Sequence, residues 1–149
     1  MVYRYMNEKA ALEQYKLNDI ELGLKKNFKV NITESMTNEF AKLTGDYAPI
    51  HMDEEYARTT KFNHRICHGM LLASFFSRLT GMHLPGKNAL LLSYSVKHLL
   101  PCFINQEINI EGVVVAKSNA TRIITLKATI TDSSGKLLVD GLLKVLVRE

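Results

Sequence analysis

The stretch His68-Gly-Met-Leu-Leu-Ala-Ser-Phe-Phe-Ser-Arg-Leu-Thr80 decides the fold of this chain. If it is drawn as a helix, apolar side chains fall on nearly every side rather than on a single stripe. They are Met70, Leu71, Leu72, Ala73, Phe75, Phe76 and Leu79. A helix with this pattern has to be buried on most sides, so the rest of the chain must wrap around it.

The C-terminal half has the pattern of strands that could form this wrapping. Between Leu90 and Lys97, apolar residues alternate with mostly polar ones, as in a strand with one buried face. Similar runs occupy about 107–117, 121–132 and 136–148. The residues Asp132-Ser-Ser-Gly135 have the composition of a hairpin turn. We therefore expect consecutive antiparallel strands that curl around the helix.

The N-terminal part adds one strand and short helices. Residues 25–32 alternate like a strand, and Thr33 then opens a short helix that ends near Gly45. Residues 46–53 are expected to be irregular because Pro49 cannot continue a helix. Asp53 can cap a second short helix. Together these elements predict a single α+β domain.

Length and composition exclude several classes of protein. The 149 residues suit one domain, and no run reaches the roughly 18 apolar residues of a membrane span. The first residues lack the apolar run of a secretory signal, so a cytoplasmic protein without membrane contact is expected. Cys67 and Cys102 fit reduced, buried thiols and form no disulfide framework.

The charge distribution bears on the choice of partner. The net charge is +4, but lysines and arginines are scattered among acidic residues and form no basic stripe. Nucleic acid is therefore not the expected partner. A small molecule that carries phosphates, such as coenzyme A, is compatible with this charge.

Two separated motifs carry the functional signal. The first is Phe40-Ala-Lys-Leu-Thr-Gly-Asp-Tyr-Ala-Pro-Ile-His51, and the second is Ile66-Cys-His-Gly-Met70 at the start of the buried helix. This pair resembles the MaoC-like hydratases of the hot-dog superfamily. Their signature is an aromatic residue followed by Gly-Asp-x-Asn-Pro-x-His, with a later His-Gly-Met. The similarity runs from about Asp19 to the C-terminus, which leaves residues 1–18 as an N-terminal extension and residues 19–149 as the domain.

The resemblance implies a fold and an activity. The fold would be a single hot-dog domain, with an antiparallel sheet wrapped around the long central helix. The activity would be that of an (R)-specific enoyl-CoA hydratase, which adds water to a trans-2-enoyl-CoA and gives an (R)-3-hydroxyacyl-CoA. The reaction is reversible, so dehydration of a 3-hydroxyacyl thioester is also expected. The substrate would be an acyl-CoA or acyl-carrier-protein thioester, with no further cofactor. A homodimer, or a higher oligomer, would follow from edge-to-edge pairing of sheets.

The motif residues suit this chemistry. Asp46 and His51 provide a carboxylate and an imidazole, which can divide the activation of water and the exchange of a proton. The backbone N–H of Gly69, at a helix N-terminus, can stabilise the enolate that develops on the thioester oxygen. Either Asp46 or His51 alone would be read as an ordinary turn or loop residue, but the combination with Pro49 and Gly69 favours catalysis.

Other residues receive weaker assignments. The resemblance implies that Ser77 lines the substrate site, and Pro49 and Met70 are added as further substrate-binding candidates. Ser77 could equally bond the preceding helical turn. His68 is interpreted as structural, packing or bonding backbone at the start of the helix. The remaining histidines are scattered and give no zinc motif, so no metal is predicted.

One departure from the family pattern keeps an alternative open. Ala48 occupies the position of the family Asn, so any hydrogen bond by which that side chain holds the loop is missing. The alternatives are a hot-dog module that binds acyl thioesters without catalysis, or a hot-dog thioesterase. Thioesterases and acyl-carrier-protein dehydratases often carry an acid on the central helix. Here no acid occurs between Glu55 and Glu107, which favours the MaoC-like arrangement.

Overall fold

One antiparallel sheet and a central helix form the framework of the protein. The computed structural model describes residues 11–148. The five strands are β1 (Lys25–Asn31), β2 (Ala89–His98), β3 (Glu107–Ser118), β4 (Ile123–Asp132) and β5 (Leu137–Val147), in the sheet order β1-β3-β4-β5-β2. The α-helices are α1 (Glu34–Thr44), α2 (Pro49–Met52), α3 (Glu54–Arg58) and α4 (Gly69–Arg78).

Small residues let the sheet approach α4 closely. The strand register aligns Gly112 of β3 with Ala128 of β4, and Ala128 with Gly141 of β5. A Cβ atom at Gly112 would lie 2.8 Å from the Leu79 side chain, and one at Gly141 would lie 3.0 Å from Phe76. Larger residues in this row would force the helix away from the sheet. The row therefore permits the tight wrapping that the apolar helix requires.

The core contains one face of the central helix, but the predicted burial on most sides is not met within this chain, because Met70 is 59% exposed. Leu71, Leu72, Phe76 and Leu79 are buried, and they share one apolar cluster with the inward-facing residues of the strands. The α-helix ends at Arg78, and a π-helical turn continues the chain to His83. The prediction of a single α+β hot-dog domain is confirmed.

Most of the helix starts and ends predicted for the N-terminal part agree with the structure. The Thr33 hydroxyl accepts a hydrogen bond from the Met36 N–H at 3.1 Å, and α1 is followed by Gly45 with φ of 79°. One expectation was wrong. Residues 46–53 are not wholly irregular, because Pro49 begins the helical turn α2. Proline is tolerated there because the first N–H of a helix has no partner within the helix.

Residues 13–14 pack against the residues that follow α4. The Glu13 N–H donates to the Met82 carbonyl, and Gln14 forms an isolated bridge with Gly86. Residues 1–10 of the predicted N-terminal extension lie outside the described residues. Within residues 11–148, no helix has the length and apolar character needed to cross a membrane.

Candidate active site

His51 is held in a defined orientation on α2. Its Nδ1 lies 2.8 Å from the Ile66 carbonyl oxygen, which can only accept a hydrogen bond. Nδ1 must therefore carry the proton, and the neutral ring has its lone pair on Nε2. The carbonyl of His51 accepts a hydrogen bond from Arg65 Nε at 2.6 Å. The ring of His51 is thus oriented by Ile66, and its backbone is held by Arg65.

Arg65 connects the helices around His51. Besides its bond to His51, its guanidinium donates to Glu34 Oε1 at 2.7 Å and to Asn38 Oδ1 at 3.1 Å, both on α1. The Arg65 backbone N–H donates to Glu54 on α3 at 3.1 Å. A single side chain therefore ties α1 to α2, while its backbone also holds α3. Arg65 was not predicted as a site residue, because nothing in the local sequence distinguishes it from a surface arginine.

Asp46 lies directly after the left-handed Gly45. Its Oδ1 accepts a hydrogen bond from the Ala48 N–H at 3.1 Å, which forms a turn closed by the side chain itself. The other oxygen, Oδ2, lies 4.0 Å from Nε2 of His68. About half of the Asp46 side chain remains exposed, so the carboxylate is within reach of solvent and of a substrate.

His68 lies at the centre of the site. Its side chain is 2% exposed, and Nε2 donates to the Asp46 carbonyl at 2.9 Å. Its ring centroid is 4.1 Å from that of His51 and 5.0 Å from that of Phe40. The expectation that His68 bonds backbone is met, but the bonded carbonyl belongs to the Asp46 loop and not to the helix start. Asp46, His51 and His68 each offer a polar atom within 4.8 Å of the others.

Two histidines and one carboxylate are also a set that can bind a transition metal. The spacing of the histidines along the chain gave no sign of this cluster, because Asp46, His51 and His68 meet only in the folded chain. Both imidazoles already donate a hydrogen bond to a backbone carbonyl, Nδ1 of His51 to Ile66 and Nε2 of His68 to Asp46. In the neutral rings, the lone pairs that remain are on Nε2 of His51 and on the buried Nδ1 of His68, which has no hydrogen-bond partner among the described residues. The arrangement therefore suits proton transfer.

Gly69 begins α4 immediately after His68. As the first residue of the helix, its N–H has no partner within the helix, and the helix dipole favours negative charge there. The ring of His98, at the end of β2, would lie 3.2 Å from a Cβ atom at this position. A larger residue at this position would therefore press against the ring of His98, which would have to shift by a few tenths of an ångström. No local sequence pattern predicts this contact, because it depends on how β2 crosses the helix start.

Most of the predicted site residues line one of two cavities, but Asp46 lines neither of them. The first cavity has a volume of about 440 Å³ and contains His51, Gly69 and His98, with Lys61 among its other lining residues. The second has a volume of about 240 Å³ and is almost wholly apolar. Its lining includes Phe40, Met70, Ala73, Ser77, Leu91 and Tyr94. Pro49 lines neither of these two cavities and instead starts the helix that carries His51.

Fold and site together define a hot-dog protein with a carboxylate and imidazole pair beside the N-terminus of its central helix. The family model described as "MaoC like domain" matches residues 17–135. The chain belongs to the MaoC-like domain family.

Individual relatives agree with this membership. The chain is 38% identical to the (R)-specific enoyl-CoA hydratase of Aeromonas caviae over 122 residues, which cover 82% of this chain and 91% of the relative. It is 35% identical to the hydratase of the same name from Rhodospirillum rubrum, over 87% of this chain and 89% of that protein. The solved structure of the Aeromonas caviae (R)-hydratase superposes with a TM-score of 0.84, covering 86% of this chain and 97% of that one.

Proposed function

We propose that this protein is an (R)-specific enoyl-CoA hydratase, which converts a trans-2-enoyl-CoA and water into an (R)-3-hydroxyacyl-CoA and also catalyses the reverse dehydration. The observation that carries the proposal is the grouping of Asp46, His51 and His68 within 4.8 Å, next to the first N–H of α4. The (R) configuration is taken from the relatives, which are named for it at 35% and 38% identity.

In the proposed mechanism, Asp46 and His51 carry out the proton transfers, and the Gly69 N–H stabilises the developing negative charge. A water molecule between Asp46 and His51 gives up a proton to this pair as its oxygen adds to C3 of the enoyl thioester, and the pair returns a proton to C2. Nε2 of His51 suits proton transfer because Nδ1 is committed to Ile66. Negative charge that develops on the thioester oxygen is stabilised by the Gly69 N–H and the helix dipole.

The two cavities suit the two ends of the substrate. The cavity with His51 and Gly69 would hold the thioester, and Lys61, which also lines it, suits the phosphates of coenzyme A. The apolar cavity lined by Met70 and Ser77 suits the acyl chain. Pro49 would act indirectly through α2. We propose that no cofactor beyond the thioester is needed, that an acyl-carrier-protein thioester is also accepted, and that the protein works in the cytoplasm.

The test of this proposal is a turnover assay with a short trans-2-enoyl-CoA. Loss of the absorbance of the conjugated thioester is expected, with the (R)-3-hydroxyacyl-CoA as product on chiral analysis. Release of free coenzyme A thiol without loss of the double bond would indicate a thioesterase. Saturable binding of the thioester without either change, in folded protein, would indicate a module that binds acyl thioesters without catalysis.

Ala48 is the position at which the site departs from the family pattern. It is the residue before the first turn of α2, with extended backbone and no side chain to cap the helix. Asparagine is among the best residues at such a position, and replacing it with alanine typically costs about 0.5–2 kcal/mol. The family Asn therefore suits a capping role, and its loss would loosen α2 without removing Asp46 or His51.

Ala48→Asn is therefore expected to raise hydration several-fold, and about tenfold at most, because restoring a cap improves the positioning of His51 by roughly 0.5–1.5 kcal/mol. Turnover of one enoyl-CoA substrate by the variant and the wild type measures the effect. Asp53, which caps α3 through a bond to the Tyr56 N–H at 3.0 Å, provides a matched comparison, since Asp53→Asn should leave turnover unchanged. A slower Ala48→Asn variant would contradict the capping explanation.

We also propose that the protein forms a homodimer through β2, with a higher oligomer as the alternative assembly. Within residues 11–148, β2 pairs with β5 on one side and is an edge of the sheet. It carries Leu90, Leu92 and Tyr94, which are 47%, 49% and 56% exposed. An open, apolar edge strand is a template for pairing with a second chain.

Light scattering should find a dimer for the wild type and a monomer for the Leu90→Lys, Leu92→Lys double variant, because charged lysines on an edge strand oppose pairing. Leu43, which is 84% exposed on α1, gives the control. Leu43→Lys should remain dimeric. If the β2 variant retains the assembly of the wild type, the interface lies elsewhere.

A further inference from the structure

Cys67 and Cys102 face each other beside the candidate active site. Ile66 and Phe103 form an isolated antiparallel bridge, so Cys67 and Cys102 are the next opposed pair. The Cys67 N–H donates to the Cys102 carbonyl at 2.8 Å. Opposed residues joined in this way have Cα atoms about 5.5 Å apart, and disulfides form at Cα separations of about 4.4–6.8 Å. The backbone therefore holds the two thiols at a separation suited to a bond.

The pair is reduced, buried and still reachable. Both cysteines are free thiols, with exposures of 3% for Cys67 and 1% for Cys102. Both nevertheless line the 440 Å³ cavity that contains His51 and Gly69. A small molecule that enters this cavity would lie beside both cysteines. They are the two cysteines of the sequence, so all thiol chemistry of the chain belongs to this pair.

The two thiols differ in reactivity because each influences the other. Hydrogen bonding from the Cys67 thiol lowers the pKa of Cys102 below its ordinary value. The same bond, together with burial, raises the pKa of Cys67. The thiolate is the form that attacks an oxidant. Cys102 is thus suited to react first, and Cys67 to hold its proton until the second step.

We propose that Cys67 and Cys102 are a redox modification site, at which a hydroperoxide converts the two thiols into a disulfide that slows the chemistry of the neighbouring active site. In the first step, the Cys102 sulfur attacks the peroxide oxygen, which gives a sulfenic acid and water (or an alcohol). In the second step, the Cys67 sulfur displaces hydroxide from that sulfenic acid, and the thiol proton leaves with it as water. The peroxide is reduced, both thiols are oxidised, and an external dithiol reverses the change.

The connection to the active site runs through the neighbours of Cys67. Ile66 supplies the carbonyl that orients His51, and His68 donates to the Asp46 loop. A disulfide draws the two sulfurs to about 2.05 Å, well inside the contact distance of two thiols. The short segment from Ile66 to His68 must move to permit this. Displacements of about 1 Å at a catalytic site can cost up to a hundredfold in rate.

The experiment treats wild type, Cys67→Ala and Cys102→Ala with hydrogen peroxide, and each is compared with its own reduced form. The wild type should lose two hydrogens in intact mass without a change in oligomeric state, and its hydration rate should fall roughly tenfold and recover with dithiothreitol. Neither variant should form the intramolecular disulfide or show this reversible loss of rate. Diamide, which oxidises dithiols directly, should reproduce the result in wild type.

Two results would overturn the proposal. One is the persistence of two free thiols in folded wild type after both oxidants. The other is a disulfide that forms while hydration is unchanged. The effect on rate rests on the proposed hydratase activity, but the mass and thiol measurements do not. A protein that forms the disulfide but never hydrates an enoyl thioester would therefore refute the proposed function, together with the rate effect, and leave the modification itself established.

Discussion

Asp46→Asn and His51→Ala are each expected to lower the hydration rate by at least about a hundredfold, the usual contribution of a positioned acid or base. Asparagine keeps the size of Asp46 and an oxygen that can accept from the Ala48 N–H, but it cannot take a proton from water. Alanine removes Nε2 of His51 altogether. If both groups act on the same water, the double variant should be little slower than the slower single variant. Rates at saturating enoyl-CoA measure all three.

Matched controls separate chemistry from folding. Asp53→Asn makes the same change at a residue that only caps a helix, and asparagine caps equally well. His64→Ala makes the other change at a surface histidine bonded to Glu54. Both should hydrate at the rate of the wild type. If Asp46→Asn or His51→Ala is folded and hydrates at near-normal rate, the assignment of that residue is refuted.

His68→Phe is expected to lower hydration by about ten- to a hundredfold, although His68 is not assigned a proton in the reaction. Phenylalanine preserves a ring beside His51 but removes the hydrogen bond to the Asp46 carbonyl. Loss of one such bond costs roughly 0.5–1.5 kcal/mol, and misplacement of a catalytic group by about 1 Å can cost a hundredfold. The expected loss is mainly in kcat, because Asp46 and not the binding cavities is displaced.

A second substitution tests whether the hydrogen bond is the cause. The side-chain amide of glutamine can place a donor near the position of Nε2, so His68→Gln should recover much of the lost rate. Thermal unfolding of both variants checks that the core is intact. If His68→Gln is as slow as His68→Phe at equal stability, the role of His68 is packing and not the positioning of Asp46.

The sequence predicted the fold well because its signals are local and periodic. The apolar residues of α4 repeat on all sides, and the strands alternate, so element types follow from the burial that each pattern requires. The helix ends followed from Thr33 and Gly45, whose capping preferences do not depend on distant contacts. Pro49 was misjudged because the same property that stops one helix allows it to begin another.

The site was only partly predictable. Asp46, His51 and Gly69 were predicted through motif resemblance, and the structure brings His51 and Gly69 into one cavity, whose lining does not include Asp46. The contacts of Arg65, His98 and Cys102 join residues far apart in the chain, and no local pattern encodes them. His98 lies beside Gly69 only because β2 ends over the start of α4. Such contacts are set by strand register and crossing geometry, which the sequence does not state residue by residue.

β2 would contribute both to the proposed dimer interface and to the proposed acyl-chain cavity. The strand supplies Leu91 and Tyr94 to the wall of the apolar cavity, and it is also the open edge of the sheet. A second chain that pairs with this edge would make the cavity wall more rigid. By mass action, dilution below the dissociation constant of the dimer would separate the two chains, and the cavity wall formed by β2 would become more mobile. Specific activity would fall on dilution, and more steeply for long acyl chains than for short ones, because long chains depend on that wall.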